Sequence, residues 1–362
     1  MAKIVLIGAG SGFGSRLSVD ILSFPELQDS TIALVDINQE AVDGVSRFVQ
    51  QVVDHHKLPA KVIGATDRRE VLEGADHVVT AIAVGGPAYN GVPYFYEIDI
   101  PAQFGVSQQV GDTIGPGGIL RTMRTAPEML AICRDIEELC PDALLLNYTN
   151  PMAMLCRAMQ RESDVLVSGL CHSVQGTAAM LARWIGAPAE EIDYTCAGIN
   201  HTAFYTKFEW KGEDAYPLLR EAVKKPDIYN EEIVRNEMFM ALGYYVTESS
   251  GHFSEYVPYY RKRKDLLKRH CRDGYLGGSS FYADNWPTWR KNCDERNRDF
   301  AAGKVPLPTA RGHEYAADIV EVGYSDVLED VLAGMPLRAI EAGEAAPNYA
   351  RHQTMVRRSM HP

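Results

Sequence analysis

The first 36 residues contain the pattern that most restricts the fold of this chain. A short run of aliphatic and β-branched residues, Lys3–Ile7, leads into a glycine-rich segment, Gly8–Gly14. A helical pattern follows as far as Ser23, and a second apolar run, Thr31–Val35, ends at Asp36. A strand, a glycine turn, a helix and a second strand in this order are typical of a unit with two parallel strands. The sequence therefore predicts an α/β fold that begins with a parallel sheet.

The glycine turn has the chemistry of a dinucleotide-binding site. Gly8 and Gly10 let the backbone approach a pyrophosphate closely, and the N-terminus of the following helix stabilises its negative charge. Asp36 can accept hydrogen bonds from the adenosine ribose and would repel a 2′-phosphate, which favours NAD over NADP. Phe13 stands where the usual fingerprint has its third glycine, so a purely structural turn stays open as the alternative.

The alternation of strands and helices continues to about residue 170 and then changes. A strand predicted at Ala143–Leu146 runs into a polar loop, as is typical of the carboxyl edge of a parallel sheet. Beyond this point two strands, Ile192–Ile199 and Ala203–Trp210, follow each other with no helix between them. We therefore predict a Rossmann-type, doubly wound domain over residues 1–170 and an α+β substrate domain over residues 171–362. The overall plan would be that of the lactate and malate dehydrogenases.

Three polar residues follow the predicted elements of the first domain. Asp112 lies in the loop Gly111–Gly118, ahead of a predicted helix, and Asn147 and Asn150 follow the strand that ends at Leu146. Asp112 is interpreted either as a functional carboxylate or as a loop acid close to a helix start. The two asparagines are typical turn formers, but their amides also suit nicotinamide and sugar hydroxyls.

A cysteine and a histidine each follow an apolar strand in the middle of the chain. Cys171 comes directly after the run Val165–Leu170, and Ser173 can cap the helix that follows. A helix N-terminus favours a thiolate over a thiol, so we expect Cys171 to ionise readily. His201 closes a later strand, and the two side chains could hold a divalent metal together. A buried free cysteine and a core histidine stay open as the alternative, because the four-ligand pattern of a structural zinc site is not recognisable.

The composition argues against several classes of partner and location. The 362 residues carry a net charge of −12, which argues against nucleic acid and anionic membranes as partners. The apolar runs are shorter than the roughly 20 residues that span a bilayer, and the N-terminal residues are interpreted as a strand rather than a signal peptide. Seven cysteines without a regular spacing favour a reducing environment, so we expect a cytoplasmic protein.

Five motifs along the chain carry a resemblance to a known family. They are G-D-T-x-G-x-G-G at 111–118, N-Y-x-N-P-M-A-M at 147–154, G-L-C-H-S-V-Q-G-T at 169–177, C-A-G-I-N-H at 196–201 and G-Y-x-V-T-E-S-S at 243–250. As a set they resemble the NAD-dependent glycosidases of glycoside hydrolase family 4, most closely the α-galactosidase branch. The tetrad that begins at Cys171 marks this branch, since the 6-phospho-glycosidases of the family typically have Asn or Asp after the cysteine.

The resemblance implies a redox-assisted hydrolysis of α-galactosides, or of related α-glycosides such as α-galacturonides. In this family NAD⁺ accepts a hydride from sugar C3, and a base removes the C2 proton beside the new ketone. A divalent metal, usually manganese, stabilises the enolate. The leaving group at C1 is then eliminated, water adds and the hydride returns. Such an enzyme does not use the two opposed carboxylates of most glycosidases.

The same resemblance assigns roles to individual residues. Cys171 and His201 would bind the metal and leave room for sugar hydroxyls in its shell. His172 stands where related members have a candidate general acid, and it could protonate the leaving oxygen. Asp112 is counted with the catalytic residues. The NAD-binding residues would be Gly8, Gly10, Ser11, Asp36 and Asn147, and the sugar hydroxyls would contact Asn150.

A tyrosine that follows the histidine ligand serves as the base in this family. Tyr244 is our choice for this role, with Tyr245 and Tyr256 as close alternatives. A free phenol has a pKa of about 10, so the base needs help from the charge of the metal or the cofactor.

Other interpretations of the chain stay open. Family members usually continue well beyond Glu314-Tyr315, so we expect the C-terminal part of the family pattern to be missing here. A degenerate, non-catalytic NAD-binding protein is therefore one alternative. A dehydrogenase of the lactate and malate type is the other, and it would need a histidine with an acid partner and a carboxylate-binding arginine. A homodimer or homotetramer is the expected assembly.

Overall fold

A computed structural model describes residues 1–85, 92–111, 114–171, 173–271 and 276–302. Two residues with predicted roles, Asp112 and His172, lie outside the described residues. Within these ranges, none of the helices combines the length and the apolar composition that crossing a bilayer requires.

A parallel sheet forms the centre of the first half of the chain. Its strands are β1 (Lys3–Ile7), β2 (Thr31–Val35), β3 (Lys61–Ala65), β4 (His77–Thr80), β5 (Leu144–Asn147) and β6 (Leu166–Gly169). The strand order is β3-β2-β1-β4-β5-β6, which is the order of a doubly wound Rossmann sheet. The register is continuous across the centre, where Val5 lies opposite both Ala33 and Val78. The predicted α/β fold is confirmed.

Helices cover both faces of this sheet. They are α1 (Gly12–Ser23), α2 (Gln39–His56), α3 (Arg69–Leu72), α4 (Tyr94–Gln103), α5 (Gly115–Leu139), α6 (Met152–Glu162) and α7 (Ser173–Ile185), with a 3-10 turn at Pro25–Leu27. Ile4 and Leu6 pack with α1 and α2 on one face, whereas Val5 and Ile7 pack with α5 and α6 on the other. Because both faces are buried, β1 is continuously apolar from Ile4 to Ile7 rather than alternating.

The turn between β1 and α1 explains the glycine spacing. Gly8 has a φ of +89°, which favours glycine, and a Cβ there would lie 2.3 Å from the carbonyl oxygen of Ala81. Gly14 takes the place of the third glycine, because a Cβ there would lie 1.9 Å from the carbonyl oxygen of Ala9. Phe13 therefore does not argue against a dinucleotide turn, because the residue that packs closely against the preceding backbone is Gly14.

The second half of the described chain contains an antiparallel sheet and short helices. The sheet has the order β7 (Ile192–Ile199), β8 (Thr202–Trp210) and β9 (Glu213–Asp214), and a 3-10 turn at Ala189–Glu191 precedes it. The helices are α8 (Tyr216–Ala222), α9 (Pro226–Glu231), α10 (Ile233–Leu242), α11 (Ser250–Tyr256), α12 (Pro258–Lys262), α13 (Lys264–His270) and α14 (Phe281–Ala301). Buried aromatic rings fill the core between sheet and helices, among them Tyr205, Phe208 and Tyr216.

The last described helix, α14, packs back onto the first half of the chain. The ring of Trp286 stacks on Tyr94 of α4 with centroids 5.6 Å apart, and the amide of Tyr282 donates to the carbonyl oxygen of Gln109 at 3.2 Å. Helix α14 also contacts α2. Residues on both sides of position 170 therefore pack together, and the predicted division into domains at that position stays a prediction.

Gly14→Ala is expected to destabilise the protein although alanine is the better helix former. The added methyl gains about 1 kcal/mol of helix propensity but meets the backbone at Ala9. Because backbone cannot yield as a side chain can, we expect a net loss of about 2 kcal/mol in the free energy of unfolding, measured by urea titration.

Gly74→Ala is the matched control for this variant. Gly74 has a φ of +70° but nothing lies within 4 Å of its added Cβ, so this change should cost only the ~1 kcal/mol of left-handed strain. Equal losses of stability in the two variants would contradict the proposed clash at Ala9.

Candidate active site

Three side chains from distant parts of the chain meet beside the carboxyl edge of the parallel sheet. Cys171 follows β6, His201 occupies the turn between β7 and β8, and Glu248 precedes α11. The Oε2 atom of Glu248 lies 3.4 Å from Nε2 of His201 and 3.9 Å from Sγ of Cys171. One donor atom from each residue lies within 4.8 Å of the other two. The structure thus brings together the predicted pair and adds a carboxylate.

Backbone pairing carries Glu248 to this position. Val246 forms an isolated antiparallel bridge with Phe204 of β8, and the amide of Thr247 donates to the carbonyl oxygen of Ala203 at 2.9 Å. The chain before Glu248 therefore runs alongside the start of β8, next to His201. His201 itself has a φ of +65°, a conformation that histidine adopts more readily than most residues.

The Glu248 carboxylate is held by its neighbours. Its Oε1 atom accepts a hydrogen bond of 2.8 Å from the amide of Ser249 and lies 3.7 Å from Nδ1 of His252. The His252 ring contacts the hydroxyl of Ser249 at 2.9 Å and lies edge-on to His201, with ring centroids 4.6 Å apart. Since Glu248 and both histidines are buried, these contacts fix the direction of the carboxylate and offset part of the cost of burying its charge.

A divalent cation fits this set of donors. A thiolate, an imidazole and a carboxylate offer one soft, one intermediate and one hard ligand within a few ångströms of each other. The carboxylate makes the set more suitable for manganese than a cysteine and a histidine alone. Three protein ligands also leave coordination positions open for substrate, as in catalytic sites. Glu248 lies within the motif at 243–250, but the motif alone does not identify it as a ligand.

The protonation state of Cys171 differs from the expectation. Burial, together with the negative charge of Glu248, raises the pKa of the Cys171 thiol to about 12, although hydrogen bonds from Ser173 and Asn200 act in the opposite direction. The helix N-terminus at Ser173 therefore does not make Cys171 a ready thiolate, because desolvation and a neighbouring anion have larger effects. A bound cation would reverse this balance, since it stabilises the deprotonated sulfur directly.

The three candidate tyrosines have different surroundings. Tyr244 is 51% exposed and packs edge-on against the ring of Tyr216. Tyr245 is fully buried, its hydroxyl donates to Oδ1 of Asn236 at 2.9 Å, and burial raises its pKa far above the usual value. Tyr256 is half-buried, and its hydroxyl donates to the carbonyl oxygen of Asn200, the residue before His201, at 3.0 Å. The hydroxyl of Tyr256 thus contacts the backbone beside the cluster.

One carboxylate of α11 holds the loop that leads to Asp112. Oε1 of Glu255 accepts hydrogen bonds from the amides of Gln109, Val110 and Gly111, at 2.5, 2.8 and 3.4 Å. Three amides on one anion fix the backbone of this loop. Because Glu255 precedes Tyr256, the loop and the tyrosine are attached to the same short helix.

The predicted cofactor residues lie together at the first turn of the sheet. Oδ2 of Asp36 accepts from the amide of Gly10 at 2.9 Å, and Oδ1 accepts from the amide of Asn38 at 3.0 Å. Each oxygen keeps a second lone pair, so the half-buried carboxylate can still accept from a ribose. Ser11 caps α1, because its hydroxyl accepts from the amide of Phe13 at 3.4 Å. Helix α1 begins at Gly12 within this turn, so the positive end of its dipole suits the charge of a pyrophosphate.

The two asparagines have different roles. Asn147 is completely buried, and its Oδ1 accepts from the hydroxyl of Thr80 and the amide of Thr149, both at 3.0 Å. Its Nδ2 donates to the carbonyl oxygen of Thr149 at 3.0 Å. These bonds give the amide of Asn147 a turn-forming role, and its NAD contact stays a prediction. Asn150 is half-buried and accepts from the amide of Met152 at 3.2 Å, and its sugar contact stays a prediction.

Comparison with known proteins places this chain in one family. A model of the family 4 glycosyl hydrolases matches residues 3–187, and a model of the C-terminal domain of that family matches residues 196–332. An α-galactosidase of Rhizobium meliloti (strain 1021) is 38% identical over 329 residues, which make up 88% of this chain and 66% of that protein. An α-galactosidase of Bacillus subtilis (strain 168) is 36% identical over 327 residues, 89% of this chain and 73% of that protein.

A solved structure has the same fold. The 6-phospho-β-glucosidase of Thermotoga maritima, determined with manganese, NAD⁺ and glucose-6-phosphate, superposes with a TM-score of 0.70 over 91% of this chain and 73% of that chain. Its sequence identity is 21%, so this likeness concerns the fold alone.

The fold and the cluster define an α/β protein with a dinucleotide-type turn and a candidate metal centre. The chain belongs to the family 4 glycosyl hydrolases, and the predicted resemblance is confirmed. One expectation is wrong: the C-terminal part of the family pattern is not missing, because the C-terminal domain model extends to residue 332. The chain spans about two thirds of the length of its Rhizobium meliloti relative.

In the metal-free protein, Cys171 is expected to react slowly with iodoacetamide. A pKa of about 12 leaves little thiolate at neutral pH, so the rate should rise steadily as the pH is increased towards that value. Glu248→Gln removes the neighbouring negative charge that raises this pKa, and alkylation near neutral pH should become several-fold faster. The modified peptide is quantified by mass spectrometry.

Glu213→Gln provides the control, because Glu213 is an exposed acid on β9. It removes the same charge from the chain without contact to the cluster. If Glu248→Gln and Glu213→Gln left the rate at Cys171 equally unchanged, Glu248 would not control the ionisation of this thiol.

Proposed function

We propose that this protein hydrolyses α-galactosides with NAD and a divalent metal, manganese in the first place. The observation that carries the proposal is the buried cluster of Cys171, His201 and Glu248 beside a sheet with a dinucleotide turn. The identity of 36–38% to two α-galactosidases supports galactosides as the substrate class. α-Galacturonides remain the nearest alternative substrates.

The side chains of the cluster and the residues of the glycine turn fit the chemistry of the proposed reaction. Cys171, His201 and Glu248 would hold the metal, and Gly8 and Asp36 the cofactor. Bound NAD⁺ would supply the hydride acceptor for sugar C3, and the metal would supply positive charge to stabilise the anion left when the C2 proton is removed. The presence of manganese and NAD⁺ in the Thermotoga maritima enzyme supports this combination.

Tyr256 replaces Tyr244 as the proposed base for the C2 proton. Its hydroxyl lies 3.0 Å from the carbonyl oxygen of Asn200, so it is directed towards the backbone that carries His201. Tyr244 has its ring at the surface and packs against Tyr216. A base must reach the proton that it removes, and geometry is the first criterion for choosing it. His172 and Asp112 keep their predicted roles as general acid and catalytic carboxylate.

We propose a cellular location and an assembly for this enzyme as well. Six cysteines of the described residues are free, namely Cys133, Cys140, Cys156, Cys171, Cys196 and Cys271. Free thiols are typical of proteins in reducing compartments, which supports a cytoplasmic location. We also propose that the protein acts as a homo-oligomer on a small sugar substrate, without nucleic acid or membrane partners.

Asp36→Ala is expected to weaken NAD binding by roughly 1–3 kcal/mol, because the ribose loses a hydrogen bond to a charged group. The same change should bring the affinity for NADP closer to that for NAD, since the repulsion of a 2′-phosphate disappears. Fluorescence titration of both dinucleotides measures the effect. Asp43→Ala removes an exposed acid from α2 and serves as the control. Equal affinity of the unmodified protein for NAD and NADP would contradict the role of Asp36.

Hydrolysis of p-nitrophenyl α-galactoside in D₂O is expected to place deuterium at C2 of the released galactose. Tyr256→Phe should lose most of the 10²–10⁴-fold that a positioned base typically contributes, whereas Tyr244→Phe should keep activity near that of the unmodified protein. Metal and NAD affinities should be unchanged in both variants. Galactose without deuterium at C2 would rule out the elimination mechanism. Loss of activity in Tyr244→Phe but not in Tyr256→Phe would identify Tyr244 as the base.

Dependence on the cluster is tested with the same substrate. Cys171→Ser, His201→Ala and Glu248→Gln should each abolish turnover and weaken manganese binding in titration calorimetry, while NAD still binds at its separate turn. Stoichiometric formation of NADH without release of galactose would favour the alternative of a lactate- or malate-type dehydrogenase. Binding of NAD with neither NADH formation nor galactose release would indicate a degenerate, non-catalytic protein.

A further inference from the structure

A buried arginine contacts the chain segment that leads to Glu248. Arg235 of α10 is only 3% exposed. Its Nη2 atom donates hydrogen bonds to the carbonyl oxygen of Val246 at 3.0 Å and to the hydroxyl of Thr177 at 2.5 Å, and its Nη1 atom lies 3.4 Å from Oε1 of Glu232. Removing a guanidinium charge from water is costly, and apolar side chains of similar volume often stabilise a core equally well or better. Stability alone therefore does not account for an arginine at this position.

Thr177 of α7 extends the contact to the next residue of the segment. Its hydroxyl accepts the bond from Arg235 and donates to the carbonyl oxygen of Thr247 at 2.7 Å. The carbonyl oxygens of Val246 and Thr247 are thus both held by side chains, whereas the amide of Thr247 is held by the backbone of β8. Because a guanidinium can only donate, it leaves the single proton of the Thr177 hydroxyl for Thr247. Glu248 therefore follows a backbone that is held from both sides.

The first turn of α7 also contacts the thiol of the cluster. Helix α7 begins at Ser173, and the hydroxyl of this residue lies 3.2 Å from Sγ of Cys171. Thr177 follows four residues later, so the two hydroxyls lie on one face of the helix, about 6 Å apart along its axis. One end of this turn contacts the sulfur and the other end contacts the residue before Glu248. The turn therefore links two of the three proposed metal ligands.

The chain after Glu248 is held by the start of α10. The amide of Ser250 donates to Oε2 of Glu232 at 2.8 Å, and the hydroxyl of Ser250 accepts from the amide of Arg235 at 3.4 Å. Helix α10 thus contacts the chain on both sides of Glu248. Displacement of the Glu248 carboxylate would require several of these buried hydrogen bonds to break at once.

We infer that Arg235 and Thr177 are positioning residues, which fix the Glu248 carboxylate relative to Cys171 and His201 and thereby set the affinity of the cluster for Mn²⁺. They act through Glu248 and through the helix that contacts Cys171. A hydrogen-bonded network has defined directions, whereas apolar packing would let the segment shift. Groups that orient metal ligands contribute roughly 10–100-fold to metal affinity. This inference rests on the proposed function, because it concerns the metal proposed there.

Titration calorimetry of the full chain with Mn²⁺ tests the inference without reference to activity. Thr177→Val keeps the shape of the side chain but removes both hydrogen bonds, so the dissociation constant for Mn²⁺ should rise about tenfold. Thr177→Ser keeps the hydroxyl and should restore most of the affinity. Arg235→Lys keeps the charge but loses the planar group that contacts Thr177, Val246 and Glu232 together, and it should also weaken Mn²⁺ binding about tenfold.

A matched control separates this effect from the loss of any threonine hydrogen bond. Thr206 is exposed on β8, and its hydroxyl donates to the carbonyl oxygen of Thr195 at 3.2 Å. Thr206→Val should therefore leave the Mn²⁺ affinity unchanged. NAD affinity, measured on every variant, should equal that of the unmodified protein, because a folded chain with a displaced carboxylate keeps its glycine turn.

Several outcomes would overturn the inference. They are unchanged Mn²⁺ affinity in both Thr177→Val and Arg235→Lys, equal weakening in Thr177→Ser and Thr177→Val, and loss of NAD affinity in parallel with Mn²⁺ affinity, which would indicate a general loss of structure. An unmodified protein that binds Mn²⁺ but releases no galactose would contradict only the proposed function. An unmodified protein that does not bind Mn²⁺ would contradict both.

Discussion

The site depends on one buried carboxylate. Glu248 is enclosed with Cys171, His201 and His252, and a buried anion needs positive or hydrogen-bonding partners to be tolerated. The amide of Ser249 and the two imidazoles supply part of that compensation. Burial, together with this negative charge, raises the pKa of the neighbouring Cys171 thiol and keeps it protonated. A divalent cation would compensate the carboxylate and stabilise the deprotonated sulfur at once, so the electrostatics of the cluster favour a bound cation.

The predictable parts of this structure are those that local sequence determines. Strand, turn and helix follow from residues that are neighbours in the chain, and the ends of parallel strands must meet at one edge of their sheet. Cys171 comes at such an end, whereas His201 closes a strand of the antiparallel sheet, so the family resemblance rather than strand geometry assigned the two residues to one metal site. The fold followed from the local patterns, with Gly14 in place of the expected glycine at position 13.

What could not be predicted depends on contacts between distant segments. Glu248 reaches the cluster because Val246 pairs with Phe204, and nothing in the residues around it indicates that pairing. The choice among the tyrosines also depends on packing, which places Tyr244 at the surface and the hydroxyl of Tyr256 near the cluster. The ionisation of Cys171 was misjudged because a helix end is visible in sequence, whereas burial and a neighbouring acid are not.

The clamp between Glu255 and the loop at residues 109–111 has a consequence for molecular recognition. Three successive amides directed at one point form a nest, the backbone arrangement that in many proteins receives a phosphate. Here the carboxylate of Glu255 binds these amides in the position that a phosphate group would otherwise occupy. A phosphorylated ligand would have to displace the Glu255 carboxylate before it could bind these amides. The Glu255 side chain therefore competes with phosphate groups for this loop.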